Sequence, residues 1–152
     1  MRHRHVFALV IALTCACAAA AGGPASDGTL TITLRAASRN AGETGKALMT
    51  AHGDETAIML TVTGVPSWVV RPVQLYVFVY AGFCVEHDPT PSYALNDVVE
   101  AGLFSRSGVS GPFTLKKTLP MSMQAMRTGA YALVVRTGPA DGNVDIFCGD
   151  MK

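Results

Sequence analysis

Residues 29–34 alternate threonine with Leu30, Ile32 and Leu34, a period of two that places the three apolar side chains on one face of a strand. Residues 46–51 and 56–63 flank the polar, glycine-containing turn His52-Gly53-Asp54-Glu55, which predicts an antiparallel hairpin with Ile58, Leu60 and Val62 facing inward. Gly64-Val65-Pro66 breaks the pattern, and residues 73–83 (VQLYVFVYAGF) then form a long run of β-prone residues ending at Cys84. Trp68, beside Pro66 and Val69, is expected to plug one end of the fold.

Between residues 85 and 111, Pro89, Pro91, Gly102, Gly108 and Gly111 surround one modest apolar segment at 93–99, which predicts a long ordered loop. A strand resumes over 113–119, residues 120–129 connect with at most one helical turn, and strands follow over 130–137 and 144–148. Six or seven strands separated by turn signals, with no sustained helical period, predict an all-β, antiparallel β-sandwich.

The N-terminus has a different pattern. Basic residues in MRHRH precede the apolar run VFALVIAL and a small-residue tract, TCACAAAAGG, the arrangement of an export signal. The apolar run is shorter than the roughly 20 residues of a membrane-spanning helix, so the expectation is a signal peptide over residues 1–21 cut before Gly22, with no transmembrane segment. Lipoprotein processing at Cys15 or Cys17 is the competing expectation; neither cysteine has leucine three positions before it. Residues 22–152 then form a single β-sandwich domain, exported to the periplasm, the outer membrane or the medium.

Cleavage changes the charge and the cysteine count. The whole chain has 152 residues with 12 basic and 11 acidic side chains, and removing Arg2 and Arg4 turns a net charge of +1 into −1. No basic run exceeds Lys116-Lys117, so nucleic acid is excluded as a partner on electrostatic grounds. Two cysteines remain, Cys84 and Cys148, and an even count in an oxidising compartment predicts one disulfide. The partner expected is an unidentified protein or small ligand, and the chain is expected to be a monomer.

Several segments together resemble small secreted bacterial proteins of the CHRD and copper/zinc superoxide dismutase-like type. They are Gly45-Lys46-Ala47-Leu48-Met49, Gly53-Asp54-Glu55-Thr56, Leu60-Thr61-Val62-Thr63-Gly64-Val65-Pro66, Gly82-Phe83-Cys84, Tyr93-Ala94-Leu95-Asn96-Asp97-Val98-Val99, Gly129-Ala130-Tyr131-Ala132-Leu133 and Cys148-Gly149-Asp150. The resemblance implies a Greek-key β-sandwich, immunoglobulin-like or Cu,Zn superoxide dismutase-like, with Cys84 joined to Cys148. In such relatives the strand before G-x-C carries His-x-His and a later strand ends in a further histidine. Phe78, Tyr80 and Arg136 occupy those places here, and none offers copper or zinc a donor at neutral pH. No cofactor is therefore expected, and His52 and His87 are expected to be solvated.

Other chemistry is sparse. Nucleophile-elbow, zincin and phosphate-loop motifs are missing from the sequence, and Asp54-Glu55 and Glu86-His87-Asp88 are expected to be solvated charge, so no catalytic residue is assigned. Tyr76, Phe78 and Tyr80 share one side of their strand and make a candidate binding patch; the resemblance implies that Arg136 lies close enough to one of these rings for a cation–π contact. The competing expectation is that the 85–111 loop folds over the rings and buries them. Met121, Met123 and Met126 put three thioethers within six residues, the weak copper candidates of the chain; packing into the core is the plainer expectation. The functional expectation is an exported, non-enzymatic binding or envelope-surface protein, open to antibodies as an antigen. The alternatives are a periplasmic copper-binding protein and a degenerate superoxide dismutase-like protein.

Overall fold

Alternation drives most of the chain into antiparallel strands. A computed structural model describes residues 28–96 and 111–152; residues 1–27, with the expected export signal, Cys15 and Cys17, and residues 97–110 of the expected loop lie outside that description. The described strands are β1 (Thr29–Ala36), β2 (Thr44–His52), β3 (Glu55–Val62), β4 (Leu75–Phe83), β5 (Glu86–His87), β6 (Tyr93–Ala94), β7 (Phe113–Leu119), β8 (Tyr131–Thr137) and β9 (Asp145–Asp150). All strand pairs are antiparallel, and the order across the sheet is β5-β4-β8-β9-β1-β2-β3-β7, with β6 also on β4.

The β2–β3 hairpin closes through Gly53-Asp54, with His52 paired to Glu55. Gly53 takes φ +62°, a conformation that L side chains resist. Inward positions follow the period of two: Ile32 and Leu34 on β1, Ile58, Leu60 and Val62 on β3, and Phe113, Leu115 and Leu119 on β7 are all buried. Three connections carry the chain from one side of the sheet to the other: β3 to β4, β6 to β7 and β7 to β8. The first lays Val65, Val69 and Val73 into the core.

These inward side chains form one hydrophobic cluster, so the sheet curls around a common core. The expected two layers are joined into one continuous antiparallel sheet by a narrow ladder between β1 and β9, which contains only Arg35↔Cys148 and Ala36↔Phe147. A register shift between Val135 and Arg136 bends the neighbouring ladder.

Three local expectations need correction. The connector after β7 holds a helix, α1 (Met123–Thr128), longer than a single turn because the Ser122 hydroxyl accepts a hydrogen bond from the Ala125 N–H and caps it. Trp68 does not plug the fold; it is 45% exposed, while its neighbour Val69 is buried in its place. The turn in which the Val69 N–H donates to the Pro66 carbonyl points Val69 inward and leaves Trp68 outside. Third, the 85–111 stretch is not wholly loop, because β5 and β6 both add to the edge of β4.

Candidate functional site

The outer face of β4, β8 and β9 carries the aromatic residues. Leu75, Val77 and Val79 of β4 point into the core, so Tyr76, Phe78 and Tyr80 take the other side. The β4–β8 register sets Tyr76 opposite Arg136, Phe78 opposite Val134 and Tyr80 opposite Ala132. Ala132 and Val134 are themselves buried, so this part of the sheet is covered on both faces.

Part of the cover comes from the turn that follows β4. Gly82 takes φ +106°, and a Cβ there would lie 2.6 Å from the Glu86 carbonyl oxygen, so a glycine lets the chain fold straight back into β5. Cys84 and Val85 form the tip of this hairpin, between the pairs Phe83↔Glu86 and Gly82↔His87. Cys84 is bonded to Cys148 of β9, with 5.8 Å between their Cα atoms, and its N–H donates to Asp150 Oδ1 at 2.8 Å. The disulfide thus pins the turn across the outer face.

His87 then lands on Tyr80, with ring centroids 4.4 Å apart and a tilt of 37°. Its Nδ1 lies 2.8 Å from the Asp88 carbonyl oxygen, which requires the proton on Nδ1. His87 is half-buried rather than fully solvated, whereas His52, at the end of β2, is exposed. Tyr80 is only 1% exposed, and among the described residues its buried hydroxyl has no hydrogen-bond partner. Burial pushes the phenol's pKa above its ordinary value; Asp145 adds to the rise and Arg136 opposes it.

Arg136 lies over two of the rings, 5.3 Å from the Phe78 centroid and 5.6 Å from that of Tyr80. Such contacts contribute roughly 0.5–1 kcal/mol at exposed sites. Its Nε also donates to Asp145 Oδ1, and Nη2 to Asp145 Oδ2 at 3.4 Å. The hydrogen bond to Asp145 raises the guanidinium's pKa further, against an opposing effect of burial. The side chains of this pair stay 27% and 44% exposed, so the pair is at the surface. The candidate patch is therefore not a row of three open rings. Phe78 and Tyr76 are half-buried, Arg136 reaches solvent, and Tyr80 is sealed beneath His87.

A cleft of about 330 Å³ opens beside this cluster. Val134 and Cys148 contribute to its lining from β8 and β9, Arg35 and Ala36 from β1, and Cys84, Val85 and His87 from the pinned turn, with Asp145 adding a carboxylate. Val85, at the tip of the turn, is 88% exposed. Asp145, Arg35 and the stacking role of His87 had no signal in the sequence, because each depends on strand pairing between distant segments.

The remaining candidates lie elsewhere. Met121, Met123 and Met126 are all buried in the main core, where the thioethers fill space between α1 and the sheet. Asp54, Glu55, Glu86 and Asp88 are exposed. The outer-face site offers copper or zinc a poor donor set: Phe78, Tyr80 and Arg136 present phenyl, phenol and guanidinium, and the Asp145 carboxylate is engaged by Arg136. Among the described residues no group of three or more histidines, cysteines or acids is placed to hold a metal ion, and no helix is long and apolar enough to cross a membrane. Comparison of the chain with protein-family models, with curated proteins and with solved structures finds no match in any of the three.

Proposed function

We propose that the protein is exported and acts without catalysis, as a binding or envelope-surface module whose outer β4–β8–β9 face meets its partner. One observation carries this reading: a solvent-reaching guanidinium is held over two aromatic rings beside a cleft lined in part by the Cys84–Cys148 disulfide. Mixed aromatic and charged surface next to a concavity is the usual composition of a recognition site. The disulfide agrees with an oxidising compartment, and the N-terminal pattern supplies the export signal. Kinship with CHRD and superoxide dismutase-like proteins belongs to the same proposal and rests on the segment order and the paired cysteine contexts.

Two titrations of the oxidised protein test the reading. A fluorescent apolar dye is expected to bind the wild type and to lose most of its signal in the Phe78→Ser variant. Cu(I), Cu(II) and Zn(II) are expected to show no stoichiometric uptake. One equivalent of tightly bound metal, or dye binding indifferent to Phe78, overturns the proposal.

A further inference from the structure

The Cys84–Cys148 bridge is open to solvent on two sides. Each half-cystine is half-exposed, and both line the cleft described above and a second opening of about 270 Å³. The second opening lies where β1 and β9 part: their ladder stops at Arg35↔Cys148, and Thr31 and Thr33 of β1 face Gly149 and Asp150 of β9 across the gap. Two exposed cations line it. Arg35 is directly opposite Cys148, so the two side chains leave the same face of the sheet. Lys152 holds its ammonium 4.5 Å from the ring of Phe83, the residue before Cys84. Asp150, the acid among the described lining residues, already accepts from the Cys84 N–H. The segment that the bridge ties down has few other anchors: β5 makes two ladder pairs, against seven between β4 and β8, and the Asp88 N–H donates to the Ala81 carbonyl. Beyond it the chain is fixed to β4 again, where the Ser92 N–H donates to the Val79 carbonyl at 2.8 Å.

We propose that the bridge is a reducible latch over the outer face, opened by a small thiol that carries carboxylates, of the glutathione class. Its regulatory meaning rests on the binding-face reading above; the exchange itself does not. The carboxylates meet Arg35 and Lys152, and the thiolate attacks the sulfur of Cys84, at the tip of the turn. The S–S bond breaks as the new one forms, and its electron pair leaves on Cys148 as a thiolate beside Arg35. A second thiolate then displaces Cys84 from the mixed disulfide. Two thiols thus give two electrons to the bridge and end as one small disulfide, and each cysteine thiolate takes from solvent a proton in place of the one a thiol gave up. Residues 84–91, released from β9 but anchored at both ends on β4, swing away while the longer ladders hold the sheet. His87 leaves Tyr80, whose ring joins Phe78 on the open face.

Three thiols test the entry: glutathione, neutral 2-mercaptoethanol and cationic cysteamine, each rate taken per thiolate and relative to the same thiol on the urea-unfolded, oxidised protein. Glutathione is expected to lead cysteamine by about tenfold at low salt, to lose that lead near about 1 M salt, and to lose most of it in Arg35→Gln. Peptide mapping of the trapped mixed disulfide is expected to place the small thiol on Cys84. In Cys84→Ser, the free Cys148 is expected to react with iodoacetamide at lower pH than it does when Arg35→Gln is added, a shift that a merely structural arginine would not produce. In the reduced, isotope-labelled protein the amide signals of β8 and β9 are expected to stay dispersed while those of residues 84–91 and Tyr80 move, and apolar-dye fluorescence rises. Rates indifferent to thiol charge, or trapping on Cys148, overturn the exchange site. Unfolding of the whole sheet on reduction, or an unmoved Tyr80, overturns the latch. Opening without a change in dye signal removes the regulatory meaning alone; failure of the oxidised protein to bind dye through Phe78 removes the binding-face reading and leaves the exchange site standing.

Discussion

His87 packs against Tyr80 with 4.4 Å between ring centroids, and the phenolic hydroxyl beneath it has no hydrogen-bond partner among the described residues. The ring therefore stabilises the outer face while its oxygen destabilises it. Removing the oxygen alone separates the two effects. Tyr80→Phe keeps the stacking and the contact with Arg136 and relieves the desolvated hydroxyl, so it is expected to stabilise the fold by about 1 kcal/mol. Urea unfolding at neutral pH measures this, and a variant less stable than wild type would show that the hydroxyl is partnered in solution.

The same hydroxyl sets an alkaline limit. Its folded pKa lies above the ordinary value of 10.0, chiefly through burial. Below about pH 10 both states hold the proton and stability does not depend on it. As pH rises past 10 the unfolded chain gives up the proton first, so the folded state binds more protons and stability falls with pH. Urea midpoints at pH 9 and pH 11 are expected to fall further in wild type than in Tyr80→Phe. Parallel declines in the two proteins would contradict the burial of this phenol.

The Cys84–Cys148 bridge joins positions 64 residues apart in sequence. Chain-entropy arguments assign such a crosslink about 4 kcal/mol, all through the unfolded state. Replacing both cysteines with serine is expected to cost most of that and to loosen the β4–β5 turn. Thermal unfolding with and without reductant measures the loss in wild type, and the double variant should be insensitive to reductant. A thiol assay on the native protein should find neither of these two cysteines free.

Met126 is fully buried where α1 meets the sheet. Met126→Ala is expected to cost about 2–5 kcal/mol, by lost transfer energy and the cavity left behind. Replacing Met121, Met123 and Met126 together with leucine keeps the volume and is expected to cost under about 1.5 kcal/mol per site. Cu(I) affinity should not change in that triple variant. A large drop would return the thioethers to the list of metal ligands.

Much of the strand layout was legible because it is local. Residues 113–119 alternate outward threonine and lysine with inward Phe113, Leu115 and Leu119, and that run became β7 with the expected bounds. Lys117 takes an inward position of the same alternation as a buried side chain, which its charge does not foresee. The methionine segment was legible as core filling. Arg136 against one of the rings was an expectation from the family resemblance, and the guanidinium lies 5.3 Å from the Phe78 centroid. The burial of Tyr80 and the exposure of Trp68 were not legible, since each is decided by which way a turn faces after it meets the rest of the fold.

By itself the sequence determined what depends on neighbours along the chain: the period of two, the glycine and proline breaks, the hairpin at Gly53 and the parity of the cysteines. Tertiary structure alone decided the rest. It curled the strands into one sheet through the two-pair ladder at Arg35 and Ala36, and it brought Asp145 to Arg136 through a register shift. It also folded His87 onto Tyr80, through a turn that Gly82 permits and the disulfide holds. The physical reason is range. Alternation and turn chemistry act over a few residues, whereas ring stacking, ion pairing and burial of a hydroxyl exist only between segments that the completed sheet makes adjacent.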